Sequence, residues 1–333
     1  MYYREMAEKN NCINNRYIIN EYLGRGGFSK VMKCYDQLSG CQVALKMISD
    51  KGFDDRREIE IMKILASATD PRANIAIKYL DSFTFNKRDY MVIELGGINL
   101  YDFLYDNREI PYSLSFIRSV ARQTVQFLSY LHSRGIIHCD IKPENIMLKK
   151  DAYEVVTITD DTCANPDIVK YQHTRIPIHD EIKVIDFGLA TFSENRLHFS
   201  TVGTRPYCSP EMLLQDGWSY ATDLWSVGCT LLEMYIGYQI FTGKSEREQL
   251  LKMEMVLGKF PHILSHDSHY FSKSGYVICE TPHNFDPSPL HRLIDHSRHP
   301  QFLDFCTQLL CLNPEKRITC TNALNHPFLN YID

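Results

Sequence analysis

The chain has 333 residues, 44% hydrophobic and 23% charged, with a formal charge of −5; this fits a globular protein with a full-sized core and excludes a fibrous or disordered chain. Eleven cysteines, an odd number scattered from Cys12 to Cys320 without a Cys-x-x-Cys pair, suggest neither a disulfide framework nor a zinc site and predict a reducing, intracellular setting. The opening Met1-Tyr2-Tyr3-Arg4-Glu5-Met6 carries charge where a secretory signal needs an apolar run, and no stretch approaches the ~18 apolar residues of a membrane span, so a soluble protein without membrane partners is expected.

From Tyr17 to about Glu94 the sequence predicts strands with one helix. Apolar runs lie around Tyr22-Leu23 and Val31-Met32, followed by Gln42-Val43-Ala44-Leu45-Lys46. Between the first two runs, Leu23-Gly24-Arg25-Gly26-Gly27-Phe28-Ser29-Lys30-Val31 is a turn whose glycines let backbone N–H groups approach phosphate oxygens with no Cβ in the way. Ser29 stands at the third glycine of that pattern. A helix is expected from about Asp54 to Leu65, where Ile61, Ile64 and Leu65 repeat at helical spacing and bury one face. Two carboxylates on it could hold Lys46. Glu58 is preferred because it lies three residues before Ile61 and seven before Leu65, whereas Glu60 falls outside that register.

Leu114 to His132 carries Ile117, Val120, Ala121, Val125, Leu128 and Leu131 close to helical spacing and reads as a core helix. The run His138-Cys139-Asp140-Ile141-Lys142-Pro143-Glu144-Asn145 follows. After it, the polar stretch Thr157 to Asp167 lacks periodicity and reads as an inserted surface segment, either a tolerated loop or an element for regulation or docking. A strand-like Ile182, Val184, Ile185 precedes Asp186-Phe187-Gly188, and Ser209-Pro210-Glu211 comes later. A small β-rich part thus precedes a larger helical one, and a ligand is expected to lodge between them, near Glu94 to Gly97.

With these residues in order, the chain from about Tyr17 to Phe328 resembles a eukaryotic protein kinase. The resemblance implies an α+β, bilobal fold: an N-terminal extension over residues 1–16, a kinase domain over 17–328, and a tail at 329–333. Within the domain it implies a β-rich lobe with one main helix over about 17–95, a mainly helical lobe over about 96–328, and an insertion over about 149–181. ATP and Mg²⁺ are the implied cofactors. Leu23, Gly24, Gly26, Val31, Ala44, Lys46, Ile93, Glu94 and Gly96 would surround the nucleotide, with Ile93 behind the adenine and Lys46, paired with Glu58, on the α- and β-phosphates. Asn145 and Asp186 would hold the metal, Asp140 would accept or orient the hydroxyl proton, and Lys142 would neutralise the γ-phosphate as it moves. Ser200, Thr201, Thr204 and Cys208 would belong to the activation and substrate segment. Asp223 would tie the catalytic loop from below, and Glu211 would pair with Arg317.

Glu248-Gln249-Leu250-Leu251-Lys252-Met253-Glu254-Met255-Val256-Leu257-Gly258 is similar to the EHLAMMERILG signature of the LAMMER or CDC-like kinases of the CMGC group, agreeing at Glu248, Leu250, Met253, Glu254, Leu257 and Gly258. Tyr101-Asp102-Phe103, Ala190-Thr191-Phe192 and Ser200-Thr201-Val202 add to the likeness. It implies phosphorylation of Ser and Thr in Arg/Ser-rich splicing factors, tyrosine autophosphorylation, a monomer, and an address in the nucleus or cytoplasm, although no basic targeting run marks it. Charge agrees with a basic partner: residues 1–95 hold 15 Lys+Arg against 13 Asp+Glu, leaving 21 against 28 for the rest and a negative excess of −7 there. An ordinary acidic surface would read the same, and nucleic acid is not indicated. Two positions depart from the pattern. Cys139 stands where most kinases have the arginine that pairs with an activation-loop phosphate, so activity without a phosphate on Ser200 or Thr201 is expected. Cys208 replaces an arginine of the family's substrate loop, which bears on the preference just after the phosphoacceptor. The extension before Tyr17 is too short for an Arg/Ser-rich tail. The rival readings are a DYRK-like CMGC kinase and a pseudokinase scaffold.

Overall fold

A computed structural model of the chain describes residues 12–25, 29–48, 56–159, 161–165, 171–193, 197–265, 268–278 and 289–330. They fall into two compact units, one within Met1–Gly97 and the other within Ile98–Asp333.

The first unit is built on an antiparallel sheet of β1 (Cys12–Ile13), β2 (Tyr17–Arg25), β3 (Ser29–Asp36), β4 (Cys41–Ile48), β5 (Tyr79–Phe85) and β6 (Arg88–Glu94), ordered β1-β2-β3-β4-β6-β5. Side chains alternate across a strand, so one face packs Tyr17, Met32, Cys34, Val43, Leu45, Tyr90 and Val92 into a core. The other face receives the alternate residues. Lys46 pairs in register with Val31 on β3 and Met91 on β6, Ala44 pairs with Ile93, and Gly24 with Val31. The sheet begins at Cys12, ahead of Tyr17, because Cys12 and Ile13 pair with Ile18 and Tyr17. Arg16 fastens this corner by donating to both oxygens of the buried Asp36 and to Asp81. Helix α1 (Arg56–Ala66) buries Glu58, Ile59, Ile61, Met62 and Leu65; Ile64 is only half-buried.

In the second unit α2 (Leu100–Asp106) is capped by Asn99, and α3 (Leu114–Ser133) by Ser113, whose side-chain oxygens accept from Asp102 N and Phe116 N. The apolar stripe of α3, including Ile117, Val120, Ala121, Val125, Leu128 and Leu131, is buried. Two short antiparallel pairs follow: Ile136–Ile137 with Thr191–Phe192, and Ile146–Leu148 with Ile182–Val184. Their pairing sets the run His138–Asn145 beside Asp186. On either side of the polar stretch that begins at Thr157, Tyr153–Thr157 and His173–Pro177 form an antiparallel ribbon. Asn107 anchors it, donating through Nδ2 to Thr174 Oγ1 and Arg175 O and accepting from Arg175 N. Helices α4 (Pro210–Leu214), α5 (Ala221–Ile236) and α6 (Glu246–Leu257) follow, and every residue of α5 after Ala221 is buried. No helix among the described residues is long and apolar enough to cross a membrane.

Glu211 at the start of α4 and Arg317 form a fully buried bidentate pair, Nη1 to Oε1 at 2.6 Å and Nη2 to Oε2 at 2.9 Å. Arg317 also donates to Cys311 O and Ala221 O, and its guanidinium lies 5.1 Å from the Trp225 ring centre. Removing one partner leaves a buried charge uncompensated. Arg317→Leu is therefore expected to cost about 3–5 kcal/mol in urea unfolding. Lys149→Ala, which breaks the half-exposed Lys149–Glu181 pair, should cost less than about 1 kcal/mol.

Candidate functional site

Val31, Ala44, Lys46 and Ile93, expected around the nucleotide, are brought to one sheet face by register, which sets apolar side chains beside the Lys46 ammonium. Lys46 is buried, and its Nζ donates to Glu58 Oε1 at 2.5 Å. Glu60, one residue beyond the buried register, is exposed. Glu94 is the last residue of β6; its amide donates to Lys78 O and its Oε1 accepts from Lys78 N. Leu23 is exposed, Gly24 has open space around it, and Gly96 lies half-buried beyond the strand. Gly26 lies outside the described residues.

In the second unit the run His138–Asn145 is built around Asp223 on α5. This carboxylate is fully buried, accepts from His138 N and Cys139 N at 2.9 Å each, and bonds His132 Nε2 at 2.9 Å. Burial pushes it towards the neutral form, but the His132 contact and the amides outweigh burial and hold it below the usual carboxylate range. Cys139 is thereby kept at φ +67°, a left-handed conformation that costs a non-glycine residue energy. Its carbonyl meets Gly203, which is itself at φ +88°; a Cβ on Gly203 would stand 2.5 Å from Cys139 O. Only glycine lets the activation segment approach the loop so closely.

Asp140 then projects into a ring of donors. Its Oδ1 accepts from Thr204 N at 3.1 Å and Thr204 Oγ1 at 2.7 Å. Its Oδ2 accepts from Lys142 Nζ and Asn145 Nδ2, both at 2.8 Å. Lys142 Nζ also donates to Thr204 Oγ1, and Asn145 Nδ2 to Asp140 O. Ile185 N donates to Asn145 O, so Asp186 follows directly beside Asn145, exposed and at φ +62°, its Oδ1 accepting from Gly188 N. Phe187 anchors the triplet in the core, 5.0 Å from the His138 ring and 6.1 Å from Phe127.

Along the activation segment, Trp218 Nε1 donates to Ser200 O, and Thr201 Oγ1 donates to Met212 O. The Cys208 thiol is buried, donates to Val202 O and Thr204 O, and is pushed up to about 12 by burial, with the Asp140 charge adding. Cys139 Sγ donates to Ile137 O. Neither thiol offers a charge to a phosphate.

Four further polar side chains, to which spacing alone assigns no role, are placed by tertiary structure. Glu144, inside the motif itself, has Oε2 buried with no hydrogen-bond partner. Glu233, near the end of α5, is pushed up to about 7 by burial and by the Glu144 charge, against the bond it accepts from Tyr207 OH at 2.5 Å. Tyr101 on α2 is also raised, first by burial and then by Glu144 and Glu233. Gln249, in the signature-like helix α6, is fully buried, accepts from Gly243 N at 2.7 Å and donates to Arg205 O at 3.0 Å; it staples that helix to the Thr204–Cys208 stretch. A glutamate in the apolar run Thr230-Leu231-Leu232-Glu233-Met234-Tyr235-Ile236 and a glutamine on the buried stripe of α6 were the available signals.

Residues 17–329 match the family model described as Protein kinase domain. The chain is 36% identical over 95% of its length to clkA of Dictyostelium discoideum, a serine/threonine-protein kinase by name. It is 32% identical over 96% to the dual specificity protein kinase lkh1 of Schizosaccharomyces pombe, and 32% over 98% to the dual specificity protein kinase CLK1 of Homo sapiens. It spans 36%, 47% and 68% of the lengths of those relatives. Among solved structures, the crystal structure of a kinase domain superposes with a TM-score of 0.82 at 27% identity, covering 96% of each chain.

Proposed function

The chain belongs to the protein kinase family and, within it, to the CLK group, and from that premise we propose that it transfers the γ-phosphoryl group of ATP to Ser and Thr of basic, Arg/Ser-rich proteins, and to Tyr in autophosphorylation. The observation that carries this is the Asp140 carboxylate among Lys142, Thr204 and Asn145. A carboxylate has about four lone-pair sites, and these donors fill them. When Lys142 swings to the moving phosphoryl group, Oδ2 is released to take the proton of an incoming hydroxyl. Thr204, bonded to both side chains, keeps Asp140 aimed meanwhile. Orientation of this kind is most of what a loose phosphoryl-transfer transition state demands of a protein.

The residues suit the cofactors. With Nδ2 committed to Asp140, Asn145 has its amide oxygen to offer, and Asp186 adds an exposed carboxylate. Two hard oxygen donors fit Mg²⁺, which takes its other ligands from phosphate and water and neutralises phosphate charge when bound. Val31, Ala44 and Ile93 offer the adenine an apolar face, and Lys46, held by Glu58, is a fixed cation for the phosphates.

Basic substrates are supported by Glu144 and Glu233. A buried carboxylate oxygen without a donor is costly, and a guanidinium, with five N–H donors in a planar fork, is the side chain that would satisfy it. Tyr101 beside them offers a ring on which that plane can stack.

Transfer of labelled phosphate to an Arg/Ser-repeat peptide, set against a Pro-directed peptide, tests the reading. Asp140→Asn should cost about 10²–10⁴-fold in rate. Preference for the Pro-directed peptide would favour the DYRK-like alternative, and absence of transfer to any acceptor would favour the scaffold. Because both thiols are neutral and Gly203 already meets Cys139, Ser200→Ala/Thr201→Ala should retain most of its turnover; loss of turnover with an unchanged melting temperature would contradict this. Glu233 ionises as pH rises through about 7, so affinity for an arginine-containing peptide should strengthen from about pH 6 to about pH 8, on the order of tenfold. Glu233→Gln should flatten that profile, as read by fluorescence anisotropy of the labelled peptide.

A further inference from the structure

The two outer edges of the ribbon Tyr153–Thr157 with His173–Pro177 are finished differently. Arg175 pairs with Val155 across the ribbon, yet its amide and carbonyl turn away from that partner and meet the Asn107 side chain at 2.8 and 3.1 Å. In an antiparallel ladder, bonded and non-bonded pairs alternate. Tyr153–Pro177, Val155–Arg175 and Thr157–His173 are therefore the non-bonded pairs. The bonds beyond the ribbon's ends agree, for Ile178 N donates to Ala152 O and Ile158 N to Gln172 O, both at 3.0 Å. The N–H and C=O groups of Tyr153, Val155 and Thr157 thus point outwards along the opposite edge.

Asn107 and Pro177, which has no N–H to offer, close the edge of His173–Pro177. The edge of Tyr153–Thr157 has neither device. Among the described residues, no group outside the ribbon bonds the main chain of Tyr153 or Val155, and Thr157 O accepts only from Thr162 Oγ1 at 3.4 Å. Val155 is 64% exposed and Tyr153 44%. An edge left open in this way is a template for another strand.

The strand is complementary to itself. Laid antiparallel on a second copy with Val155 at the two-fold axis, Val155 meets its own counterpart and Tyr153 meets Thr157. Each such pair points its main chain outwards and can exchange both hydrogen bonds. Glu154, the only charge on the strand, then faces Val156. Centring on Glu154 instead would set two carboxylates opposite each other. Centring on Val156 would call on Thr159 N, which already donates to Thr162 Oγ1 at 2.8 Å. Because the ribbon's other edge is closed, pairing stops at two copies and does not run on into a filament.

We infer that Tyr153–Thr157 is a self-association edge through which two copies of this chain join antiparallel, centred on Val155, into one continuous sheet. The inference is independent of the kinase reading, and mass rather than activity is its readout. Sedimentation equilibrium of the intact chain from about 1 to about 500 µM should show reversible dimers with a dissociation constant on the order of 100 µM, as suits an interface below the standard size. Since Val155 is exposed, Val155→Lys and Val155→Glu should each keep the melting temperature. Each sets like charges at the axis and should weaken the dimer about fivefold or more. Mixed in equal amounts, the two variants should dimerise as readily as the unaltered chain, because opposite charges then face each other. A chain monomeric throughout, which would leave the edge to another protein, a dimer indifferent to Val155→Lys, or a mixture that fails to dimerise would each overturn the assignment.

Discussion

A buried carboxylate is costly unless its oxygens are hydrogen-bonded, and Asp223 is fully buried on α5, answered by two backbone amides and one imidazole. Those three donors are what make its burial tolerable, so the carboxylate and the catalytic loop stabilise each other. From this contact the rest of the second unit's site follows in order. The amide of Cys139 is fixed, so its left-handed backbone persists; its carbonyl is fixed, so Gly203 has a surface to meet; and Thr204, one residue on, reaches both its amide and its hydroxyl to Asp140. Because α5 is buried along nearly its whole length, the anchor is as rigid as the core.

The two cysteines change how this assembly is fastened. Where an arginine would demand a counter-charge, Cys139 and Cys208 are small, neutral and buried, and each spends its hydrogen on a backbone carbonyl. The activation segment is held instead by the Gly203–Cys139 approach, the Trp218 indole on Ser200 O, and Gln249 on Arg205 O. These are short-range contacts already made by the unmodified chain. The signature-like helix α6 thus acts through its one buried amide, while its leucines and methionine pack as those of any amphipathic helix would.

Much of this was legible in the sequence where chemistry is carried by local spacing. Glu58 could be chosen over Glu60 because helical register alone separates a buried position from an exposed one, and the stripe of α3 lay in plain periodicity. What escaped depends on partners distant in the chain. The ribbon Tyr153–Thr157 with His173–Pro177 has an almost wholly exposed first strand, so no alternation of apolar residues announced it; pairing across the insertion and Asn107 hold it. Glu144 stands within its motif, yet the burial of one of its oxygens is a tertiary fact. Glu233 sat in an apolar run that reads only as core. The acidic balance of the C-terminal part is spread over many residues, so net charge could not single out these two buried carboxylates.

Comparing the buried charges separates those that hold the fold from those open to a ligand. Arg317 uses Nε, Nη1 and Nη2 on Cys311 O, Ala221 O and both oxygens of Glu211. Four of its N–H groups are thus answered by groups fixed in the core, and both oxygens of its carboxylate partner are taken up in the same pair. Asp140 is also saturated, but by Lys142 and Thr204 side chains that can rotate away and by an asparagine with a second polar end. Glu144 is not saturated at all on one oxygen, and Glu233 has only a tyrosine hydroxyl and an ionisation poised near neutrality. The cost of leaving such groups incompletely paired is borne in every unliganded molecule. It is offset only when these oxygens gain hydrogen-bond donors.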